Sequence, residues 1–287
     1  MARRKPPSHP IWAFFGGLAT GRASTFAADD GRLGALDSGA IQMSDTTCAR
    51  PVLTAERVFF LSMAGTIFLI TFSGFSQSVF LRPLFPNVEA AHEPLFYVHG
   101  AIFFTWIALF IAQITLIASG NLAWHRTLGT AGYVLIPLMV VIGAYGALVA
   151  AHRPTGFTGV LDPPLHYLGM LLWMVGMFAA FAAFGLRWRK SPQTHKRLML
   201  LATIVLAEAG VSRWPIDFIA ASQQAAFAVT ALLLVPLIAW DVHALRRLHP
   251  ATLWGGLAFL AYGPVRDWFS ATALWQGFAK WAVALVA

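Results

Sequence analysis

Residues 95–119 read LFYVHGAIFFTWIALFIAQITLIAS, twenty-five positions without one Asp, Glu, Lys or Arg. A helix of this length rises far enough to cross the ~30 Å hydrocarbon core of a bilayer. A soluble core helix or a strand needs no apolar run so long. Comparable runs at about 57–80, 128–151, 165–186, 197–219 and 223–240 make six expected spans. The fold class they define is all-α: a polytopic transmembrane helix bundle. A seventh, weaker run starts at Ala251, where Gly263-Pro264 and Arg266-Asp267 are expected to break it. The last stretch, 270–287, carries Trp275, Phe278 and Trp281 beside Lys280 and reads as a short span or a helix lying in the interface. Pro137 and Pro236 fall inside spans, where neighbouring helices satisfy the freed carbonyls.

Composition agrees. The 287 residues are 58% hydrophobic and 11% charged, too little polar surface for a water-soluble particle of this size. The net charge of +8 sits in short loops between apolar runs rather than in a basic stripe, so nucleic acid is not the expected partner; the lipid bilayer is. The single cysteine, Cys48, rules out an intramolecular disulfide and a cysteine-rich metal site.

Residues 1–54 differ, being rich in Gly, Ala, Ser, Asp and Arg. They read as a disordered tail, or as sequence ahead of a true start at Met43. The short apolar patch 11–19 behind Arg3-Arg4-Lys5 makes only a weak signal-peptide core. Loop charges orient the rest. Arg126, then Arg187, Arg189, Lys190, Lys196 and Arg197, then Arg246 and Arg247 fall in loops of one side. The other side holds Arg82 and Arg153 with Glu89, Glu93 and Asp162. The positive-inside rule then puts the N-terminus in the cytoplasm of a bacterial inner membrane, with 81–94 and 152–164 outside.

Of nine histidines, His9, His92, His152, His243 and His249 read as tail, loop or interfacial residues. The other four form a pattern. His99 and His166 open the second and fourth spans near the outer face; His125 and His195 open the third and fifth near the inner face. His125 is followed by Arg126 and His195 by Lys196, which points to a duplicated helical hairpin forming a four-helix core. Neutral imidazole is a good axial ligand for haem iron, so the pairs His99/His166 and His125/His195 are candidate ligands for one or two b-type haems. Gly100, Gly129, Gly132 and Gly169 lie close by in sequence and would leave room for a macrocycle. The alternative reading makes His125 and His195 interfacial anchors and the other two polar links between helices. A non-haem metal site on the same histidines is a third.

The motifs His125-Arg126-Thr127-Leu128-Gly129 and His195-Lys196-Arg197-Leu198-Met199, with the closing His249-Pro250-Ala251-Thr252-Leu253-Trp254-Gly255-Gly256, resemble a set of bacterial membrane proteins of unassigned function over about 55–287. More distantly, the four-helix, four-histidine scheme of 95–219 resembles the di-haem transmembrane cytochromes b that take electrons from ascorbate. That resemblance implies haem at the four histidines, electron transfer across the bilayer, and a redox or quinone partner.

Glu208 falls mid-span, where a lone carboxylate costs on the order of 3 kcal/mol and must be protonated, paired or facing a cavity. Arg213 and Asp217, four apart, are expected to pair on one helical face, with Glu208 a polar link or a proton relay. No phosphate loop, HExxH or nucleophile elbow occurs. Three functions follow: a membrane b-type cytochrome, a non-redox accessory or assembly protein, or a small-molecule transporter.

Overall fold

The computed structural model describes residues 53–88, 93–154, 156–157 and 163–286. The expectations for the N-terminal tail, and those touching Glu89, His92 and Asp162, lie outside them. Every regular element among the described residues is helical: α1 (Ala55–Phe75), α2 (Pro94–Ala118), α3 (Leu122–Gly129), α4 (Gly132–His152), α5 (Pro164–Arg187), α6 (Pro192–Val211), α7 (Asp217–Ala220), α8 (Gln223–Ala231), α9 (Leu234–Leu245), α10 (Pro250–Ser270) and α11 (Ala273–Ala284). A five-residue π-helical turn, Ser76–Phe80, extends α1.

The starts are capped by residues suited to them. Thr54 and Asn121 accept from the backbone N–H groups of Arg57 and Trp124, and Pro164, Pro192 and Pro250 each stand first in their helix, where the missing N–H is not needed. Pro236 explains a break. It has no N–H for the Leu232 carbonyl four residues back, and the helix divides there into α8 and α9.

Five segments are long and apolar enough to cross a membrane: Ala55–Phe80, Pro94–Ala118, Leu122–His152, Pro164–Arg187 and Gln223–Leu245. Large apolar side chains stand bare on them, with Leu69 63%, Val134 70% and Val141 65% exposed. Such surfaces suit lipid rather than water, and the chain is a multi-pass membrane protein.

The fifth expected span, 197–219, differs. Its helix is α6, which starts at Pro192 and stops at Val211 because Pro215 disfavours helical geometry just before it. α6 carries Lys196, Arg197 and Glu208, is not among the five, and is the centre of the bundle: Leu200 to Ala207 are all buried against α1, α5 and α10. The seventh run is not broken. α10 continues through Gly263-Pro264 and Arg266-Asp267 to Ser270.

Polar contacts join the helices at two ends. At the basic end, Arg57 donates to the Ala118 carbonyl at 3.2 Å, Lys196 pairs with Glu56, and the buried Arg197 reaches Asp241 through Nε at 2.9 Å. Asp241 also accepts the His249 N–H at 3.0 Å. At the opposite end, Trp214 donates to Ser73 at 2.9 Å, Arg153 to Glu93 at 2.7 Å and Trp275 to the Leu165 carbonyl at 2.8 Å. The long helices therefore alternate in direction. α1 and α6 cross where Gly74 and Gly210 meet. A Cβ on Gly210 would lie 2.9 Å from the Ile70 carbonyl oxygen, so only glycine lets the backbones touch.

Candidate functional site: a histidine pair between α3 and α6

His125 is the fourth residue of α3 and His195 the fourth of α6. Both helices start earlier than the apolar runs indicate, so both rings lie one turn inside their helices, and both are half-buried. Their centroids are 6.4 Å apart and their planes 82° apart. Each uses Nδ1 on a carbonyl of the helix before it: His195 on Gly185 at 2.8 Å, His125 on Gln113 at 3.3 Å. Neither Nε2 has a hydrogen-bond partner among the described residues.

The lysine and arginine after His195 fasten other neighbours. Lys196 reaches Glu56 on α1 and lies 5.1 Å from the Phe60 ring centroid. Arg197 reaches Asp241 on α9 and also donates to the Gln193 carbonyl at 2.9 Å. Three successive residues of α6 thus hold α5, α1 and α9.

The side chain of Gln113, on α2, spans one turn of α3. One polar atom of its amide lies 2.9 Å from the Gly129 nitrogen and the other 3.0 Å from the His125 carbonyl oxygen. Sequence reasoning passed over Gln113. The signal was there, since it is the one amide side chain in an otherwise apolar span that also holds His99.

His99 and His166 are not brought together. His99 stacks on Phe103, with centroids 4.3 Å apart, and faces Gly146 of α4. Its buried Nδ1 has no partner within hydrogen-bond geometry. His166 sits half-buried in the first turn of α5, and its ring makes no ring contact or hydrogen bond among the described residues. Of the neighbouring glycines, Gly169 leaves no room: Ser270 and Trp275 fill the space where its side chain would stand. Gly100 and Gly132 have nothing within 4 Å of a Cβ position.

The charged residues of the fifth expected span are arranged differently from the expectation. Arg213 does not pair with Asp217, because α6 has ended before either. It donates instead to the Ala209 carbonyl at 2.6 Å and lies 4.4 Å from the Phe75 ring centroid. Glu208 is not alone. Arg266 of α10 grips both its oxygens, with Nη1–Oε2 at 3.0 Å, and donates to the Tyr262 hydroxyl. The pair is buried and bidentate, so it serves first as a link between α6 and α10. Among the described residues no group of three or more His, Cys, Asp or Glu is placed to hold a metal ion.

No family model, no curated protein and no solved structure matches the chain.

Two imidazoles that bind one metal ion from opposite sides through single nitrogens at about 2 Å have centroids about 6 Å apart. The His125–His195 spacing fits that arrangement. A histidine that gives Nδ1–H to a carbonyl and keeps Nε2 as a lone pair is also the usual metal-binding form. His195 meets this outright. His125 meets it when its ring proton is on Nδ1.

Proposed function

We propose that the chain is a membrane-bound b-type cytochrome holding one haem between His125 and His195. The observation that supports this most is the spacing and crossed orientation of those rings, with both Nε2 atoms unclaimed. Haem held by two histidines would supply reversible one-electron transfer. The protein's part is to orient the rings from two backbone carbonyls and to fix α6 against α1, α5 and α9 through the Glu56, Gly185 and Asp241 contacts. One haem is favoured over two because His99 turns to Phe103 and α4 rather than to His166.

The basic end, with Arg126, Arg187, Arg189, Lys190 and Lys196, belongs to the cytoplasmic side of a bacterial inner membrane under the positive-inside rule. α6 and α10, at 20 and 21 residues, cross as well, with their charges paired inside the bundle. The haem would then lie toward the cytoplasm, and a quinone or similar carrier would complete the path outward. The resemblance to the ascorbate-dependent cytochromes rests on the residues alone and agrees with this reading.

An absorption spectrum of the detergent-solubilised protein, oxidised and then reduced, tests it. A Soret band with sharpened α and β bands on reduction is expected. A protein that stays colourless when expressed with ample haem is not a cytochrome. One observation favours a second reading, that of a non-redox accessory protein: both Nδ1 atoms already fasten one helix to the one before it, which is a structural use of histidine.

A further inference from the structure

We infer that the outward side of α5 holds one anionic phospholipid of the leaflet at the basic end. Its phosphate sits at Tyr133, Arg187 and Arg189, and one acyl chain lies in the groove over Gly176 and Ala180. The site is separate from the histidine pair, since His195 takes the carbonyl of Gly185, on the buried side of α5.

Two donors build the head of the site. Arg189 donates through Nη1 to the Tyr133 hydroxyl of α4, and its Cζ lies 5.7 Å from the Tyr133 ring centroid. The hydroxyl accepts there, so its own proton is left to give. Both side chains are exposed, and phosphate oxygens that take the Tyr133 O–H and a remaining Arg189 N–H complete them. The side chains of Arg187 and Lys190 stand on either side of Arg189 in the chain. They have no hydrogen-bond or ion-pair partner among the described residues. The protein has no acid to spare for them: the described carboxylates at this end are Glu56 and Asp241, which Lys196 and Arg197 already hold. Trp124 and Trp188, 63% and 36% exposed, mark the level where tryptophan meets headgroups.

The tail of the site runs along α5. Gly176, Ala180, Ala183 and Arg187 fall at i, i+4, i+7 and i+11 and are all exposed, so they share one outward face. An open groove lies on that face, lined by Leu172, Trp173, Gly176, Met177, Ala180 and Trp275. Trp275 closes it at the far end, where the bond to the Leu165 carbonyl pins its ring. Nothing lies within 4 Å of a Cβ position on Gly176, so the floor is clear. At ~1.5 Å per residue, Ala180 and Gly176 lie about 10 and 16 Å along the helix from Arg187. Half of the hydrocarbon core is about 15 Å, so a chain hung from the phosphate ends in the groove. An acidic protein would match the head and leave the groove empty. A second copy of this chain would match the groove and bring like charges to the head. A negatively charged amphiphile fits both.

The test uses the full chain in nanodiscs of equal parts phosphatidylglycerol and phosphatidylcholine, with native mass spectrometry reading the lipid that stays bound. Wild type is expected to keep one phosphatidylglycerol per chain, in several-fold preference to phosphatidylcholine. Arg187→Gln/Arg189→Gln should lose that preference. Tyr133→Phe leaves every charge in place and should lower it, and serves if the arginine variant does not fold. Gly176→Leu fills the groove from a position with free space; it should lower retention of both lipids at an unchanged melting temperature. Arg246→Gln/Arg247→Gln removes the same charge elsewhere at the basic end and should change nothing. Equal retention of the two lipids by wild type overturns the inference. Equal losses in the two arginine pairs overturn it in favour of diffuse charge, and a lipid-free dimer overturns it in favour of a second copy on this face.

Discussion

Glu208 and Arg266 form a two-pronged ion pair inside the bundle, joining α6 to α10 with Tyr262 as a third member. Such a pair holds two costly groups in place, and removing one leaves the other without compensation. Glu208→Ala or Arg266→Met alone is expected to destabilise by about 3–5 kcal/mol. The double variant Glu208→Leu/Arg266→Met should recover most of that loss. Thermal unfolding in detergent of the two singles and the double checks it; losses that simply add would show that the two residues act independently.

The crossing of α1 and α6 rests on Gly74 and Gly210. A methyl group on Gly74 would run into the Gly210 backbone, which no rotamer change can move aside. Gly74→Ala should therefore destabilise by about 1–3 kcal/mol. Gly176→Ala is the control, since nothing lies within 4 Å of its Cβ position. Equal melting temperatures for the two variants would contradict the close approach.

His249 caps α10 with its ring. Nδ1 accepts the Ala251 N–H at 3.1 Å, which only the neutral ring can do. Partial burial, and then the nearby Arg197 charge, hold its pKa below the ordinary value of about 6.5. A folded-state pKa that is lowered means folding favours the neutral form. The contribution is full above the ordinary value and is lost as pH falls through the lowered one. Its size is that of a helix cap, about 1 kcal/mol. Wild type should lose stability between pH 7 and pH 5 relative to His249→Asn, which caps without titrating there. Parallel pH profiles for the two would remove the argument.

Much of the fold is legible in the sequence because lipid imposes long apolar runs, and 95–119 is the clearest of them. What the runs misplace is the charged helix at the centre. α6 carries His195-Lys196-Arg197 in its first two turns and Glu208 further on, so the apolar run 197–219 misses its true ends; its length follows from Pro192 and Pro215 instead. The partners of its charges are far away in sequence: Arg197 meets Asp241 and Glu208 meets Arg266. In the sequence Arg266-Asp267 looks like a break because a charge with no visible partner resembles a loop. The inner histidines were legible as a pair of like positions, one per hairpin. The outer ones were equally so, yet the structure turns His99 toward α4. Spacing along the chain fixes the height of a residue in a bundle, not the direction its ring faces.

The central claim is that His125 and His195 hold a single haem. Its most direct test is the haem-to-protein ratio of purified wild type and of His125→Ala, His195→Ala, His99→Ala and His166→Ala, each checked for folding by circular dichroism. The account predicts one haem per chain in wild type, loss of stable haem in the His125 and His195 variants, and retention in the His99 and His166 variants. Haem absent from folded wild type, or lost on replacing His99 while His125→Ala keeps it, would contradict the account.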